Sequence, residues 1–510
     1  MKFIKILSAL LALMLVFCGC EAKADEPPDR EIILPVTDGH DLNDQRGGFT
    51  LRIPYDYSEG ASPYTAKSRA NRYVCGLIYR SMVTLKSDYS YELDLLSDIY
   101  TEDNAVWYLY IDDGLSFPDG TQFTAYDLRY SIQRAMAEGS YYASSLGVIN
   151  SVSVVNATCC KITLKYASKY FPNLLTFPVI SYETENRPLF FPGRYSFGED
   201  GTTLVANSDC AVQKIELVSA EDMELLSYEM RMGTYDCVYW QDPLSLGTSS
   251  VGGLAGLQSN RMVYLGLNSS APFTYYADFR KAVAAAIDYS YISSYVYNNF
   301  ASAPRSIFNP DFYEMQYVSK RSLDLMSANL LLDDMGLTGR DSDGYRTNSR
   351  GKRISLDLVV CNESPVKVNV ANAVAEMLAE IGIEVKVNAV SYSAFMLALE
   401  KYSYDIYIAE VRINSDMDIS KLITPYEYQL DGVEYINYGI APSENLYFSW
   451  LGFMGGSVSA TEFGSVFESV MPYVPICYTK GSVIFSRDLP FSFGGTDFDM
   501  FYDILDWKKQ

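Results

Sequence analysis

Histidine is almost missing from this chain: His40 is the one example among 510 residues. A metal site built on imidazole, or a histidine general base, therefore has nothing in the folded body to work with. The common catalytic signatures are missing too. There is no GxSxG elbow, no HExxH, no GxxxxGK[ST] loop, no GxGxxG and no CxxC. Positive charge is scarce: 40 Lys and Arg stand against 63 Asp and Glu, for a net charge of −23. A surface this acidic repels phosphate backbones, so the expectation is no nucleic-acid partner. Cysteine is sparse and dispersed. Apart from Cys18 and Cys20, seven residues lie scattered between Cys75 and Cys477, an odd set that gives no disulfide framework and reads as buried free thiols. What the chain has in excess is tyrosine, 43 residues. Its flat apolar face and polar tip suit wet clefts and contact surfaces, although most of these rings will serve as core and surface.

The first residues read as an address. Lys2 and Lys5 precede an apolar run from Ile6 to Phe17, too short to span a bilayer, and then come Cys18, Gly19, Cys20 and a polar stretch. Gly19-Cys20 at the end of such a run resembles a bacterial lipobox, in which the Cys is diacylated and becomes the new N-terminus. Phe17 and Cys18 depart from the usual Leu and small residue of that motif. Two readings stand: a lipid anchor on Cys20, which would fix the protein to the extracytoplasmic face of the cell membrane, or an ordinary cleaved signal. Residues 1–19 are thus expected to be a signal peptide, and the Asp-, Glu- and Pro-rich residues 20–47 a flexible tether.

A chain of this length is too long for one core, so at least two lobes are expected. The body opens with an alternating strand at Phe49–Ile53. Residues 104–113 alternate as a strand with two covered faces. Thr124 begins a helix with Asp127 placed for a capping box, and a second helix runs over 278–288. The most informative stretch is 354–411. Apolar strands at 354–360, 383–390 and 405–411 alternate with helices at 366–381 and 393–401. Continuous apolar strands separated by helices make a doubly wound parallel unit, and ligands sit outside the carboxyl ends of such strands. Those ends are Cys361-Asn362-Glu363 and Arg412-Ile413-Asn414.

Two acidic motifs invite functional readings. Asp341-Ser-Asp343-Gly344 begins like a calcium loop, but Tyr345 takes a ligand position and no Glu closes it, so a solvated turn is expected. Asp416-Met-Asp418 could be a carboxylate pair; a loop cap or a ligand contact is the safer reading.

Several segments together resemble the dipeptide, oligopeptide and nickel solute-binding family, family 5, of bacterial ABC importers. They are Leu77–Leu85; Trp107–Asp127 running into Tyr130–Ala135; Gly266-Leu-Asn268 with Asp278–Ala282 and Ala286–Asp288; Asp341–Gly344, Gly351-Lys352, Ala379–Glu384 and Tyr404–Tyr407; and Pro472–Tyr478. The ordered set spans nearly the whole chain after the signal.

The resemblance implies an α/β, two-lobed periplasmic-binding-protein-like fold of type II with an extra inserted subdomain. Lobe one would be discontinuous, formed by 48–85, 183–268 and 431–510, with 86–182 inserted in it. Lobe two, 269–430, would hold the doubly wound unit. By spacing, the resemblance places ligand contacts at Lys67, Ser68 and Arg69 and at Glu410, Val411 and Arg412. Asn268, Asn362, Asn414 and Asp416 are further candidates. Asn414 stands where relatives place an Asp that holds a peptide's amino group. Arg412 carries a planar cationic fork, so this wall is expected to favour a ligand that is anionic or blocked at its amino end; alternatively, Arg412 pairs with Asp416 or Glu410.

The function so implied is capture of a peptide or other small solute and delivery to the permease subunits of an ABC importer. The protein would act as a monomer, without cofactor or metal and without catalysis. A surface sensor or adhesin on the same scaffold, or an enzyme on it, are the alternatives.

Overall fold

The computed structural model describes residues 49–182, 189–220, 225–241, 243–245, 253–424, 438–440, 443–486, 489 and 493–508. The expected signal, tether, Cys20 and His40 lie outside the described residues.

Strand β1 (Phe49–Tyr55) starts where the alternation predicts it. Helix α1 (Arg69–Ile78) follows, capped by the Ser68 hydroxyl, which accepts the Asn71 N–H at 3.1 Å. Strands β2 (Val106–Tyr110) and β3 (Cys159–Leu164) pair antiparallel, with helix α2 (Ala125–Met136) between them in sequence. The Asp127 carboxylate accepts the Thr124 N–H at 2.8 Å, the reciprocal half of the expected capping box. The chain then returns as β4 (Val212–Ser219), parallel to β1, and β5 (Cys237–Trp240).

The main elements that follow are β6 (Gly253–Leu267), α3 (Ala277–Ala285), β7 (Ser355–Cys361), α4 (Pro365–Glu380), β8 (Glu384–Val390), α5 (Tyr392–Glu400) and β9 (Ile406–Arg412), with a helix at Leu325–Asp334 between α3 and β7. Then come α6 (Glu444–Met454), α7 (Ala460–Val470) and β10 (Tyr473–Phe485). The spans between 355 and 412 fall within a residue of those read from hydrophobic periodicity, whereas α3 stops at Ala285, short of the expected 288.

The largest sheet runs β5-β10-β6-β9-β7-β8. Its β7 is parallel to both neighbours, with Val359 opposite Asn388 on β8 and Tyr407 on β9. The apolar runs of β7 and β9 follow from burial under α4 and α5, while β8 is the edge strand and is largely half-exposed. Gly266 on β6 lets the Tyr407 ring lie flat on the backbone; a Cβ there would come within 2.0 Å of the ring.

Three large apolar cores result. Leu51, Val74, Ile215 and Phe501 belong to the first, in lobe one. Trp107, Leu128, Ile162 and Phe171 belong to the second, in the inserted region. Val263, Leu358, Val374 and Ile408 belong to the third, around the parallel unit. The third core draws on segments from several of the expected regions. Trp450, Phe463, Tyr473 and Tyr478, expected in lobe one, share the third core. The reason is pairing: β10 lies antiparallel along β6, and β6 along β9, so all three strands carry the same covered face. Only the far ends of β6 and β10, at Leu257 and Val483, reach the first core.

Asp341 closes no ion-binding loop. It accepts the Arg353 guanidinium at 2.5 Å in the turn before β7, and Asp343 pairs with the same arginine.

Candidate ligand-binding site

Strands β6 and β10 reach two of the large cores, the first through Leu257 and Val483 and the third through Val263 and Val474, so the stretch between is where those cores adjoin. The ladder between the two strands shifts register between Leu257 and Arg261. A segment from near the C-terminus docks on that irregularity. The Asp497 N–H donates to the Gln258 carbonyl at 2.8 Å, and Gln258 bridges to Thr496.

This docking delivers a buried carboxylate. The Asp497 side chain is 1% exposed, and Arg69 Nη1 of α1 reaches its Oδ1 at 2.5 Å. Arg412 Nη2, from the end of β9 in lobe two, reaches its Oδ2 at 2.9 Å. The Tyr239 hydroxyl of β5 donates to Oδ1, and the Arg69 guanidinium lies 4.2 Å over the Tyr239 ring. Tyr73 donates its hydroxyl to the Asp497 carbonyl at 3.0 Å. Gly481 on β10 makes the approach possible: a Cβ there would sit 2.8 Å from the Tyr239 oxygen and 3.0 Å from Asp497 Oδ1. Burial alone would push the Asp497 carboxyl up. Arg69 and Arg412 above all, then the Tyr239 hydrogen bond and Arg261, outweigh it and hold the group below the usual carboxylate range.

The candidates divide clearly. Arg69 and Arg412 converge on Asp497. Arg412 therefore pairs with neither Asp416 nor Glu410, since the carboxylate it meets comes from lobe one. Glu410 instead lies 3.8 Å from Arg261 and 3.4 Å from Lys367. Val411 faces Met262 and packs on the third core. The N–H groups of Lys67 and Ser68, expected to face ligand, donate to the Glu59 carboxylate at 3.2 and 2.8 Å. Asn268 lies apart from these groups. It is buried at the opposite end of β9, where its amide donates to the Tyr404 carbonyl at 2.8 Å and accepts the Ser270 N–H at 3.0 Å. Asn362 is exposed just past β7. The Asn414 carbonyl accepts the Met417 N–H at 3.0 Å and the Asn260 amide at 3.2 Å, which ties the loop after β9 to the crossing strands.

Asp416 is 2% exposed and has no cation partner among the described residues. Its Oδ1 accepts the Asp418 N–H at 3.3 Å, and Tyr166 of the inserted region donates to Asp418 Oδ2 at 2.9 Å. Burial first, and the Asp418 charge second, push the Asp416 carboxyl well above its ordinary value. Burial likewise raises Asp418.

The main chain of β9 offers a second feature. Its ladder to β7 ends at Ile408 opposite Val360, while its ladder to β6 continues to Arg412. The Ile413 N–H donates to the Asn260 carbonyl, so residues 409, 411 and 413 turn their amides toward β6. Glu410 and Arg412 turn theirs to the other edge, beyond the end of β7, where no strand pairs with them among the described residues.

Two cavities flank this junction. One, of about 510 Å³, is lined in lobe one and the inserted region by Arg69, Arg72, Tyr73, Tyr141, Tyr142 and Asp497, among others. The other, of about 150 Å³, lies at the carboxyl ends of the parallel strands and touches Arg261, Lys367, Glu410 and Lys480.

The family model for bacterial extracellular solute-binding proteins, family 5, middle region, matches residues 91–426. The chain belongs to this family. Its fold is accordingly the mixed α/β, two-lobed one of periplasmic solute-binding proteins. Among solved structures, an ABC transporter substrate-binding protein from Sinorhizobium meliloti superposes with a TM-score of 0.69 at 18% identity, covering 91% of this chain and 100% of that one. The oligopeptide-binding protein AppA from Bacillus subtilis, in complex with a nonapeptide, gives 0.55 at 17%, covering 91% and 99%. NikZ from Campylobacter jejuni, in complex with Ni(L-His), gives 0.60 at 16%, with the same coverage of each. At these identities the likeness is one of fold. No curated protein matches the chain.

In this solute-binding protein, no group of three or more His, Cys, Asp or Glu is placed to hold a metal ion among the described residues. No described helix is long and apolar enough to cross a membrane. Sequence reasoning missed Asp497, Tyr239, Arg261 and Arg72. Asp497 lies in Gly494-Gly-Thr-Asp-Phe498, which matches no motif, and its importance arises from partners brought in from three other elements.

Proposed function

We propose that this solute-binding protein captures a peptide or peptide-like solute between its two lobes and hands it, chemically unchanged, to the permease subunits of an ABC importer. It does so as a monomer held at the extracytoplasmic face of the cell membrane by a lipid on Cys20. The observation that carries the reading is the open edge of β9 at the lobe junction. There the amides of Glu410 and Arg412 face away from β6 beyond the end of β7. An extended peptide laid along that edge gains main-chain hydrogen bonds as an added strand, and such pairing is blind to side chains. The cavity of about 510 Å³, whose lining includes the Arg69 and Asp497 that meet at this junction, supplies room for side chains and water. The Bacillus subtilis relative of the same fold, bound to a nonapeptide, adds support for the peptide class.

The test is native mass spectrometry of the full chain purified from its own host. Co-purified peptide recovered intact is the expected result; a solute of another class, or a ligand recovered chemically altered, overturns the reading. For the anchor, Cys20→Ala should abolish lipid labelling and release the protein into the medium, and unchanged labelling rejects the assignment.

A further inference from the structure

The junction holds more positive charge than its own carboxylates neutralise. Arg69 and Asp497 form one pair, and Arg261 and Lys367 share Glu410. Two arginines remain. Arg412 contacts Asp497 through a single nitrogen, and its side chain is 39% exposed. Arg72, one turn along α1 from Arg69, lines the 510 Å³ cavity and has no carboxylate within ion-pair reach among the described residues. Its guanidinium donates to the Ala66 carbonyl at 3.2 Å and to the Lys67 carbonyl, and it lies 4.4 Å over the Tyr141 ring. Burial foremost, with repulsion from Arg69 and Arg412, holds the Arg72 cation below its ordinary pKa. These groups stand in a protein of net charge −23, where a surplus of cations is local rather than general. Asp497 already shows what this cluster binds: a carboxylate, held by arginines from α1 and β9 at once.

We propose that the ligand is acidic, and that one of its carboxylates docks between Arg72 and Arg412, completing the cluster that Asp497 half fills. This rests on the peptide reading above and names the ligand class for the same site. A guanidinium fork is matched to a carboxylate, and Arg412 contributes it from lobe two while Arg72 contributes it from lobe one, so an acidic ligand draws the lobes together. The carboxylate can come from an acidic side chain or from the ligand's C-terminus.

Calorimetry on the full chain separates these sources with four peptides: Ala-Glu-Glu-Ala amide, Ala-Lys-Lys-Ala amide, tetra-alanine amide and tetra-alanine with a free C-terminus. Citrate serves as a non-peptide polycarboxylate. The Glu peptide should bind about tenfold or more tighter than the Lys peptide. Arg72→Gln and Arg412→Gln should each erase most of that gap, and Arg72→Lys should restore part of it. Free-terminus tetra-alanine matching the Glu peptide would support the proposal and assign the carboxylate to the terminus. Equal binding of the Glu, Lys and neutral amide peptides overturns it, as does a gap that survives both glutamine variants. If no peptide binds while citrate binds in an Arg72-dependent way, the peptide reading fails and the acidic-ligand inference stands. If neither peptides nor citrate bind, the inference falls.

Discussion

Asp497 and Asp416 are buried alike, each 2% exposed, and both lie where lobe two meets the rest of the molecule. Their surroundings drive them in opposite directions. Asp497 accepts from Arg69, Arg412 and Tyr239 and is held below the ordinary carboxylate range. Asp416 meets no cation, shares its loop with Asp418, and is pushed well above that range. Burial sets how much a charge matters; the partners decide its sign of effect. The first carboxylate is a structural anion that joins the lobes. The second is a carboxyl whose burial and neighbouring Asp418 disfavour its charged form, at the contact between the loop after β9 and the inserted region, where Ser415 and Asn173 also exchange hydrogen bonds.

The comparison can be broken by substitution. Asp497→Asn should have the largest effect, lowering unfolding free energy by about 3 kcal/mol at pH 7, the low end for a broken buried pair because Arg412 keeps access to water. Urea unfolding measures it. The folded pKa of Asp497 lies below the unfolded one, so its contribution is present above the unfolded carboxylate pKa and is lost as pH falls through the folded value. The wild type should therefore converge on the variant in acid. A difference that stays constant down to acid pH would show that shape, not charge, is at stake.

Gly266→Ala supplies an apolar control. A Cβ within 2.0 Å of the Tyr407 ring forces the third core apart, with an expected cost of about 2 kcal/mol that does not vary with pH. Tyr239→Phe removes one donor from Asp497 and should cost about 1.5 kcal/mol by the same urea measurement, shrinking as Asp497 protonates in acid.

Asp416→Asn should act in the other direction. The amide keeps the oxygen that accepts the Asp418 N–H and removes the penalty of a buried charge, so a gain of about 1 kcal/mol at pH 7 is expected. Here the folded pKa lies above the unfolded one. The wild-type penalty is absent below the unfolded pKa and grows as pH rises through the window between the two, so the advantage of the variant should vanish in acid. A destabilised variant at pH 7 would mean that the Asp416 charge is matched by a partner, and the contrast with Asp497 would collapse.

Part of this architecture was legible in the residues. The strands and helices of 355–412 announce themselves because each face is apolar at the right period, a local property. The junction at Asp497 was half legible. Arg69 and Arg412 stood out, the first through a family resemblance and the second through the rule that ligands sit at strand carboxyl ends. Asn268 lies away from that junction, at the amino end of β9, and the N–H groups of Lys67 and Ser68 are held by Glu59. Asp497 was invisible. Its partners lie 85 and 428 residues away along the chain, and nothing in its immediate neighbourhood marks it.

The sequence by itself determined the fold class, the acidic surface, the want of histidine chemistry and the parallel unit. Each of these is a sum over composition or a short-range periodicity, and neither depends on which distant segments meet. The tertiary structure alone decided which carboxylate Arg412 would face, which core the helices at 444–470 would pack against, and that the titration of two equally buried aspartates would be driven in opposite directions. Those outcomes rest on Coulomb terms and packing between segments hundreds of residues apart, fixed only once β6 and β10 pair between the first and third cores and bring the C-terminal segment onto the bulge at Gln258.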